Sequence, residues 1–279
     1  MKSLKLKMPR INCLKNKVVL ITGASSGFGE DSARLFAAKG CRVVLAARRL
    51  DRLSQLAEEI RSQGGNALVA ELDIRDGSQI ESVVDNVLKE YGSVDILFNN
   101  AGFGRLDWLE NLARQEDINA QIDVNLRGLI QMTRKILPGM LAQRSGVIIN
   151  MSSVAGKLAP PLYSVYAATK FGVRGFSEAL RREVKPFGIH VCGIYPGGAV
   201  TEFSQHSGNS PLKRAVKVPS FFRMTSIFVA NRVVSLAERP RRELIVPIWM
   251  GPVIWLGNSM PWLMDLAVAG MVKKYHIIR

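Results

Sequence analysis

The sequence predicts an α/β protein in which one doubly wound parallel sheet carries helices on both faces. Three observations predict it. Short apolar runs rich in β-branched residues alternate with longer helical stretches through most of the chain. The runs are apolar throughout, as strands buried on both faces must be. Glycine-rich turns punctuate them, and repeated β–α units of this kind join a parallel sheet through right-handed crossovers.

The first run, Lys17-Val18-Val19-Leu20-Ile21-Thr22, reads as a buried strand. It passes into Gly23-Ala24-Ser25-Ser26-Gly27-Phe28-Gly29 and then into a helix from Glu30 to Lys39 that stops at Gly40. Arg42 to Ala46 is a second strand, and Leu50 to Gln63 a helix ended by Gly64-Gly65. Ala67 to Glu71 is a third strand, followed by a helix from Gly77 to Tyr91 that Gly92 closes. Val94 to Phe98 leads as a fourth strand into Asn99-Asn100-Ala101-Gly102. Helical residues run from about Gln115 to Gln143, with a break expected near Leu112 to Asn119. Gly146 to Met151, Ser164 to Lys185 and Ile189 to Tyr195 complete the pattern as strand, helix and strand.

Strand, glycine turn and helix in that order is the setting of a Rossmann-type nucleotide site. Glycines let the backbone turn sharply and approach a pyrophosphate, and the helix start offers unpaired N–H groups to phosphates. The spacing here is Gly-x-x-x-Gly-x-Gly. Ligands in such sheets bind beyond the carboxyl ends of the strands, where Thr22, Asn99, Ser153 and Pro196 all fall. Tyr166 and Lys170 stand four apart on one helix face, which brings an ammonium close to a phenol. The expected consequence is a phenol acidity lowered toward the range useful for proton transfer.

With these residues the chain resembles the short-chain dehydrogenase/reductase superfamily. The resemblance rests on Thr22 to Gly29, Asp73, Asn99 to Gly102, Asn125, Ser153, Tyr166, Lys170 and Pro196-Gly197, in the family's order and spacing. It is close from about Lys17 to Val200 and weakens beyond. It implies that Tyr166 exchanges the proton with the carbonyl or alcohol oxygen, and that Ser153 holds that oxygen. Lys170 would lower the Tyr166 pKa and hold the nicotinamide ribose, and Asn125 would anchor a water in a proton relay. The cofactor set it implies is Thr22, Gly23, Ser25, Ser26, Gly27, Phe28, Gly29, Arg48, Asp73, Asn99, Ala101, Gly102, Tyr166, Lys170, Pro196, Gly197, Ala199 and Thr201. Asp73 has two readings, an adenine contact or the N-cap of the helix at Gly77. Asn125 has a second reading as a side chain filling a helix kink.

Cofactor choice is read at the end of the second strand. An acid there would hold a ribose 2′-hydroxyl, but the chain has Ala46-Ala47-Arg48-Arg49. Arg48 can pair with a 2′-phosphate, so NADP(H) is favoured over NAD(H). The alternative is a solvated helix start at Arg48 and Arg49.

Length and composition suit one domain with appended ends. The divisions expected are a basic extension over 1–16, the catalytic domain over 17–248 with a substrate lid at 202–226, and an apolar tail over 249–279. Three scattered cysteines suit reduced thiols in a cytoplasmic setting, and His190, His206 and His276 lack ligand spacing, so no metal is expected. The net charge of +15 draws on Lys2, Lys5, Lys7, Arg10, Lys15 and Lys17 with no acid among them, and on later groups such as Arg239, Arg241, Arg242, Lys273 and Lys274. No nucleic-acid module accompanies the charge. Leu244 to Met264 is free of charge and holds Trp249, Trp255 and Trp262. Its prolines argue against one spanning helix. An anionic membrane surface is therefore the partner expected for the tail, unless Leu244 to Ile248 is the last strand and the remainder packs on protein. The amino end shows no apolar segment of signal or anchor type.

The function expected is NADP(H)-dependent interconversion of a carbonyl and an alcohol on an apolar substrate, lipid-like or steroid-like, by a homodimer or homotetramer. Two other classes stay open: a silent nucleotide-binding regulatory or scaffold protein, and a basic protein that binds membrane or nucleic acid.

Overall fold

A computed structural model of the protein describes residues 13–200, 202–204 and 224–277. Most of the basic extension, Thr201 and the greater part of the expected lid lie outside the described residues. The strands are β1 (Val18–Thr22), β2 (Arg42–Ala47), β3 (Asn66–Glu71), β4 (Ile96–Asn99), β5 (Gly146–Met151) and β6 (Ile189–Pro196). A short β7 (Ala199–Val200) and β8 (Met224–Thr225) follow, and then β9 (Glu243–Val246). Seven of them form one parallel sheet in the order β3-β2-β1-β4-β5-β6-β9. Between β1 and β4 the order of winding reverses. Loops from both halves therefore part at the carboxyl edge of the sheet and leave a crevice there.

The helices are α1 (Gly27–Ala38), α2 (Leu50–Ser62), α3 (Gly77–Tyr91), a single turn α4 (Ala120–Ile122), α5 (Gly128–Gln143) and α6 (Ser164–Val184). Side chains of successive strand residues point to opposite faces, and the core divides accordingly. Val19 and Ile21 join Val43, Leu45 and Phe98 under α1 and α2, through Phe36, Leu53 and Leu56. Val18 and Leu20 join Val44, Leu97 and Ile148 under α3 and α5, through Val84, Val87, Met132 and Met140. All five residues of β1 are buried, which explains why its sequence shows no polar alternation.

Three departures from the sequence expectation bear on function. The cap of α3 is Asp76, whose carboxylate accepts from the backbone N–H of Ser78 at 2.9 Å and of Gln79 at 3.3 Å. The N-cap reading of Asp73 is thereby excluded. The expected break before Asn119 is a wide π-turn over Arg114–Asn119, and a second, unforeseen one covers Asp123–Arg127. Such turns often mark functional positions in helices. Finally, α7 (Ser226–Glu238), which the sequence had not disclosed, packs on α1 and buries Val229, Val233 and Leu236.

After β9 the tail forms α8 (Met250–Ser259) and α9 (Pro261–Ile277). Pro261 opens α9, where a missing N–H is harmless. Among the described residues no helix is long and apolar enough to cross a membrane.

The glycine turn is sterically closed to larger residues. Gly23 has φ +67, and a Cβ on Gly29 would lie 2.3 Å from the Gly23 carbonyl oxygen. Gly29 thus lets α1 start directly against the turn, and it is buried rather than part of the crevice wall. We expect Gly29→Ala to destabilise the protein by about 1–3 kcal/mol, the usual cost of overpacking, measured as the shift in urea unfolding.

Candidate active site

The carboxyl ends of β1, β2, β4, β5 and β6 border a cleft of about 1430 Å³. Small-molecule sites usually measure about 300–1,000 Å³, so this one has room for a dinucleotide and a second molecule.

One end of the cleft is suited to phosphate. Gly23, Ser25, Ser26, Gly27 and Phe28 line it. Ser26, the N-cap of α1, makes no side-chain cap bond, so the first N–H groups of the helix are left for a ligand. Arg49 lies across this turn, donating from Nη2 to Ser26 Oγ at 2.8 Å and to Ser25 Oγ at 3.0 Å. Arg48 is exposed on the cleft wall, and no described residue hydrogen-bonds it. The solvated-helix-start reading thus fails for Arg49. Its role in the site was masked in the sequence, because only folding brings the β2 end against the β1 turn.

Thr22 and Asn100 clamp the next part of the wall. Thr22 Oγ1 accepts the backbone N–H groups of Asn100 and Ala101, each at 3.0 Å. Asn100 Nδ2 donates to the Thr22 and Gly23 carbonyls at 3.0 and 3.1 Å. The side chain of Asn99 is not part of the cleft. It is buried and donates to Thr133 Oγ1 and Asn150 Oδ1, each at 2.9 Å, because alternate residues of a strand face opposite ways. Of the pair, Asn100 is the cleft residue. Ala101, Gly102, Pro196, Gly197 and Ala199 line the cleft as expected, and so does Asp73. Arg75 grips Asp73 through a bidentate pair, Nη2 to Oδ2 at 2.5 Å and Nε to Oδ1 at 3.0 Å, and this hydrogen bonding lowers its carboxyl pKa.

At the centre of the cleft Ser153, Tyr166 and Lys170 converge from β5 and α6. Lys170 is buried and donates from Nζ to the Met151 carbonyl at 2.9 Å. Ser152, also buried, donates to the Lys170 carbonyl at 3.0 Å, which leaves Ser153 as the serine at the phenol. The Ser153 hydroxyl accepts from the Ala155 N–H at 3.1 Å and interacts with Tyr166. Asn125 sits in the second π-turn, 1% exposed. Its Oδ1 accepts the Phe103 N–H at 2.9 Å, and its Nδ2 donates to the Phe103 carbonyl at 2.8 Å and to Thr169 Oγ1 at 3.1 Å. Asn125 therefore ties the loop after β4 to α6. A Cβ on Gly102 would lie 3.0 Å from Asn125 Oδ1 and 3.4 Å from Lys170 Nζ, so the three are immediate neighbours.

The protonation states differ from the sequence expectation. Tyr166 keeps an accessible edge, yet protein surrounds its hydroxyl closely enough that burial pushes the phenol above its usual range, against a smaller opposing effect from Ser153. Burial brings Lys170 down to about 8. Lys170 Nζ stands 5.6 Å from the Tyr166 ring centroid, and the net direction at the phenol is upward, set by burial.

The other end of the cleft is apolar. Leu158, Pro160, Pro161, Met250, Met264 and Val268 line it, with Asp265 beside them, and the Tyr163 ring lies tilted against Tyr166 with centroids 5.6 Å apart. Both tail helices contribute, a function the uncharged run Leu244–Met264 did not disclose. Buried Cys41 and Cys192 have thiols pushed up to about 12 by desolvation. Among the described residues no cluster could hold a metal.

The profile of the short chain dehydrogenase family matches residues 17–211. The chain belongs to the short-chain dehydrogenase/reductase family. It is an oxidoreductase of CH–OH and carbonyl groups that uses a nicotinamide cofactor. Among its relatives is the 3-ketodihydrosphingosine reductase of Bacteroides thetaiotaomicron, 36% identical over 283 residues, covering 95% of this chain and all of that one. The structure is similar to that of actinorhodin polyketide ketoreductase with NADPH, at a TM-score of 0.76 and 30% identity over 83% of this chain and 95% of the other. A short-chain dehydrogenase/reductase from Burkholderia phymatum in complex with NAD gives a TM-score of 0.79 at 26% identity, over 90% of this chain and 96% of that one.

Because the folded state holds the Lys170 pKa down to about 8 from 10.5, the unfolded chain binds the extra proton between those values. Stability then rises with pH across that window. We expect the wild type to gain in melting temperature relative to Lys170→Met between pH 8 and 10.5, read by thermal unfolding without cofactor. Parallel pH profiles for the two proteins would contradict the buried ammonium.

Proposed function

We propose that this short-chain dehydrogenase/reductase is an NADP(H)-dependent reductase of a carbonyl carried on an apolar, lipid-like substrate. The observation that carries the reading is the meeting of Tyr166, Ser153 and Lys170 at one point of a cleft whose two ends differ so sharply in polarity. The nicotinamide cofactor fits the residues present: the uncapped start of α1, the Ser25–Ser26 turn and Arg48 with Arg49 suit its phosphates, and Lys170 its ribose. When bound, the nicotinamide supplies the hydride in reduction and receives it in oxidation.

The chain's own residues handle the proton and the oxygen. Ser153 donates a hydrogen bond to the substrate oxygen and fixes its place. Tyr166, held protonated by burial, gives its proton to that oxygen as negative charge develops there. A charged Lys170 near the resulting phenolate stabilises it. Asn125 holds the loop and helix that flank Lys170. Arg48 and Arg49 favour a 2′-phosphate, and they support NADP(H) over NAD(H). The ketone of the Bacteroides relative's substrate, by its name a sphingoid lipid, agrees with the apolar wall built by α8 and α9. A closed oligomer such as a homodimer or homotetramer is the assembly this reading carries.

Tyr166→Phe keeps the ring and removes the proton. Turnover of ketones with NADPH, followed by absorbance loss, is expected to fall by about 10² to 10⁴, as for loss of a general acid, while NADPH binding persists. Near-wild-type turnover would remove Tyr166 from the mechanism.

The tail supports a peripheral membrane role in a cytoplasmic protein. Ile248, Trp255, Trp262 and Leu266, in and just before the tail helices, are 83%, 70%, 62% and 69% exposed, and Arg241, Arg242 and Lys273 are exposed nearby in the chain. Apolar groups at such a surface insert while cations meet anionic headgroups. The full chain is expected to sediment with anionic vesicles, less so at high salt, and a Trp255→Ser/Trp262→Ser variant to stay in the supernatant. Equal recovery of both proteins in the supernatant at low salt would make the tail a packing element alone.

A further inference from the structure

Glu202 is a residue of the described cleft wall that neither phosphate binding nor proton transfer explains. It opens a short 3-10 turn, Glu202–Ser204, directly beyond β7 and Thr201. Two arginines from the other half of the fold hold its carboxylate. Arg49 Nη1 donates to Oε2 at 2.9 Å, and Arg52 Nη1 donates to Oε1 at 2.5 Å. Arg49 spends its remaining N–H groups on Ser25 and Ser26. One carboxylate therefore sits at the point where the guanidinium beside the β2 end and the hydroxyls of the glycine turn come together. That is a site for an anion, and an anion of the chain itself fills it.

The next residue shows how deeply the turn reaches into the cleft. The Phe203 ring lies against Tyr166, with centroids 5.5 Å apart, and a Cβ on Gly104 would touch it at 3.0 Å. Two consecutive side chains thus occupy the anion end and the reaction centre together.

We propose that the Glu202 carboxylate competes with the cofactor's 2′-phosphate for Arg49 and Arg52, which makes Glu202 a determinant of cofactor affinity and selectivity. The inference rests on the NADP(H) reading above and goes beyond it by identifying the group that the phosphate must displace. The physical case is an exchange of anions. Arg52, then Arg49, hold the Glu202 carboxyl down to about 2. Protonation therefore does not open the pair at ordinary pH, and only another anion can. A phosphate monoester carries nearly two charges and three acceptor oxygens near neutrality, against one charge and two oxygens for the carboxylate. The arginine side chains are 36% and 44% exposed, so the pair they form with Glu202 is screened by water and weak enough to exchange. A 2′-hydroxyl has no charge with which to compete, so NAD(H) binds with Glu202 still in place.

The test is isothermal titration of the full chain, its Glu202→Gln variant and its Arg49→Ala variant with NADPH, NADH, 2′,5′-ADP and 5′-AMP. Removing the competing charge is expected to tighten NADPH and 2′,5′-ADP by about fivefold, the scale of a partly exposed ion pair, while NADH and 5′-AMP change by less than about twofold. Selectivity for the 2′-phosphate then rises in Glu202→Gln and falls in Arg49→Ala. If the wild type prefers NADPH and Arg49→Ala loses that preference, but Glu202→Gln leaves NADPH unchanged or weaker, the competition is refuted and the cofactor reading stands. If the wild type shows no preference and Arg49→Ala weakens both cofactors equally, the cofactor reading fails and the proposal fails with it.

Discussion

The hydrogen bond from the Lys170 ammonium to the Met151 carbonyl, 2.9 Å long inside the protein, organises the centre of the molecule. It anchors α6 to the last residue of β5, and the bond from Ser152 to the Lys170 carbonyl repeats the link one residue on. With the helix held there, Tyr166, one turn earlier on the same face, must meet Ser153, the second residue past the strand. An unpaired buried ammonium would be very costly. The register between strand end and helix is therefore strongly specified, and the spacing of Ser153, Tyr166 and Lys170 follows from it.

Around this anchor the two π-turns and Asn125 perform a second task. A regular helix from Arg114 to Gln143 would carry its side chains past the loop after β4. The wide turn at Asp123–Arg127 lets the Asn125 amide reach Phe103 with both of its polar atoms and Thr169 with its nitrogen. All of its strong hydrogen-bonding groups face protein, and a half-satisfied amide at this depth would be destabilising. Loop, helix and Lys170 are locked as one unit, which gives the cleft a rigid floor.

The polarity of the cleft has a different origin at each end. The phosphate end is backbone and arginine, built by the turn after β1 and the end of β2. The apolar end comes from the segment after Ser153 and from the tail helices α8 and α9, elements that lie far apart in sequence. Lys157 joins these parts: its ammonium pairs with Glu243 of β9 at 2.8 Å and lies 4.3 Å from the Tyr195 ring centroid. The loop carrying Leu158 to Pro161 is thereby fastened to the strand from which the tail departs.

The sequence by itself determined the sheet, the order of its strands and helices through β6, and the residues Ser153, Tyr166 and Lys170. These depend on local pattern: apolar runs buried on both faces, glycines at turns, and helical spacing. Several matters were left to the tertiary structure. Asn100 rather than Asn99 faces the cleft because pleat direction follows strand register. Asp76 rather than Asp73 caps α3 because the turn geometry selects the carboxylate within reach of the free N–H groups. The phenol of Tyr166 is raised rather than lowered because desolvation is a property of everything packed around it, which four-residue spacing cannot report. The grip of Arg49 and Arg52 on Glu202, some hundred and fifty residues away, and the wall that the tail lends to the cleft both arise only when the winding of the sheet brings remote segments to one edge.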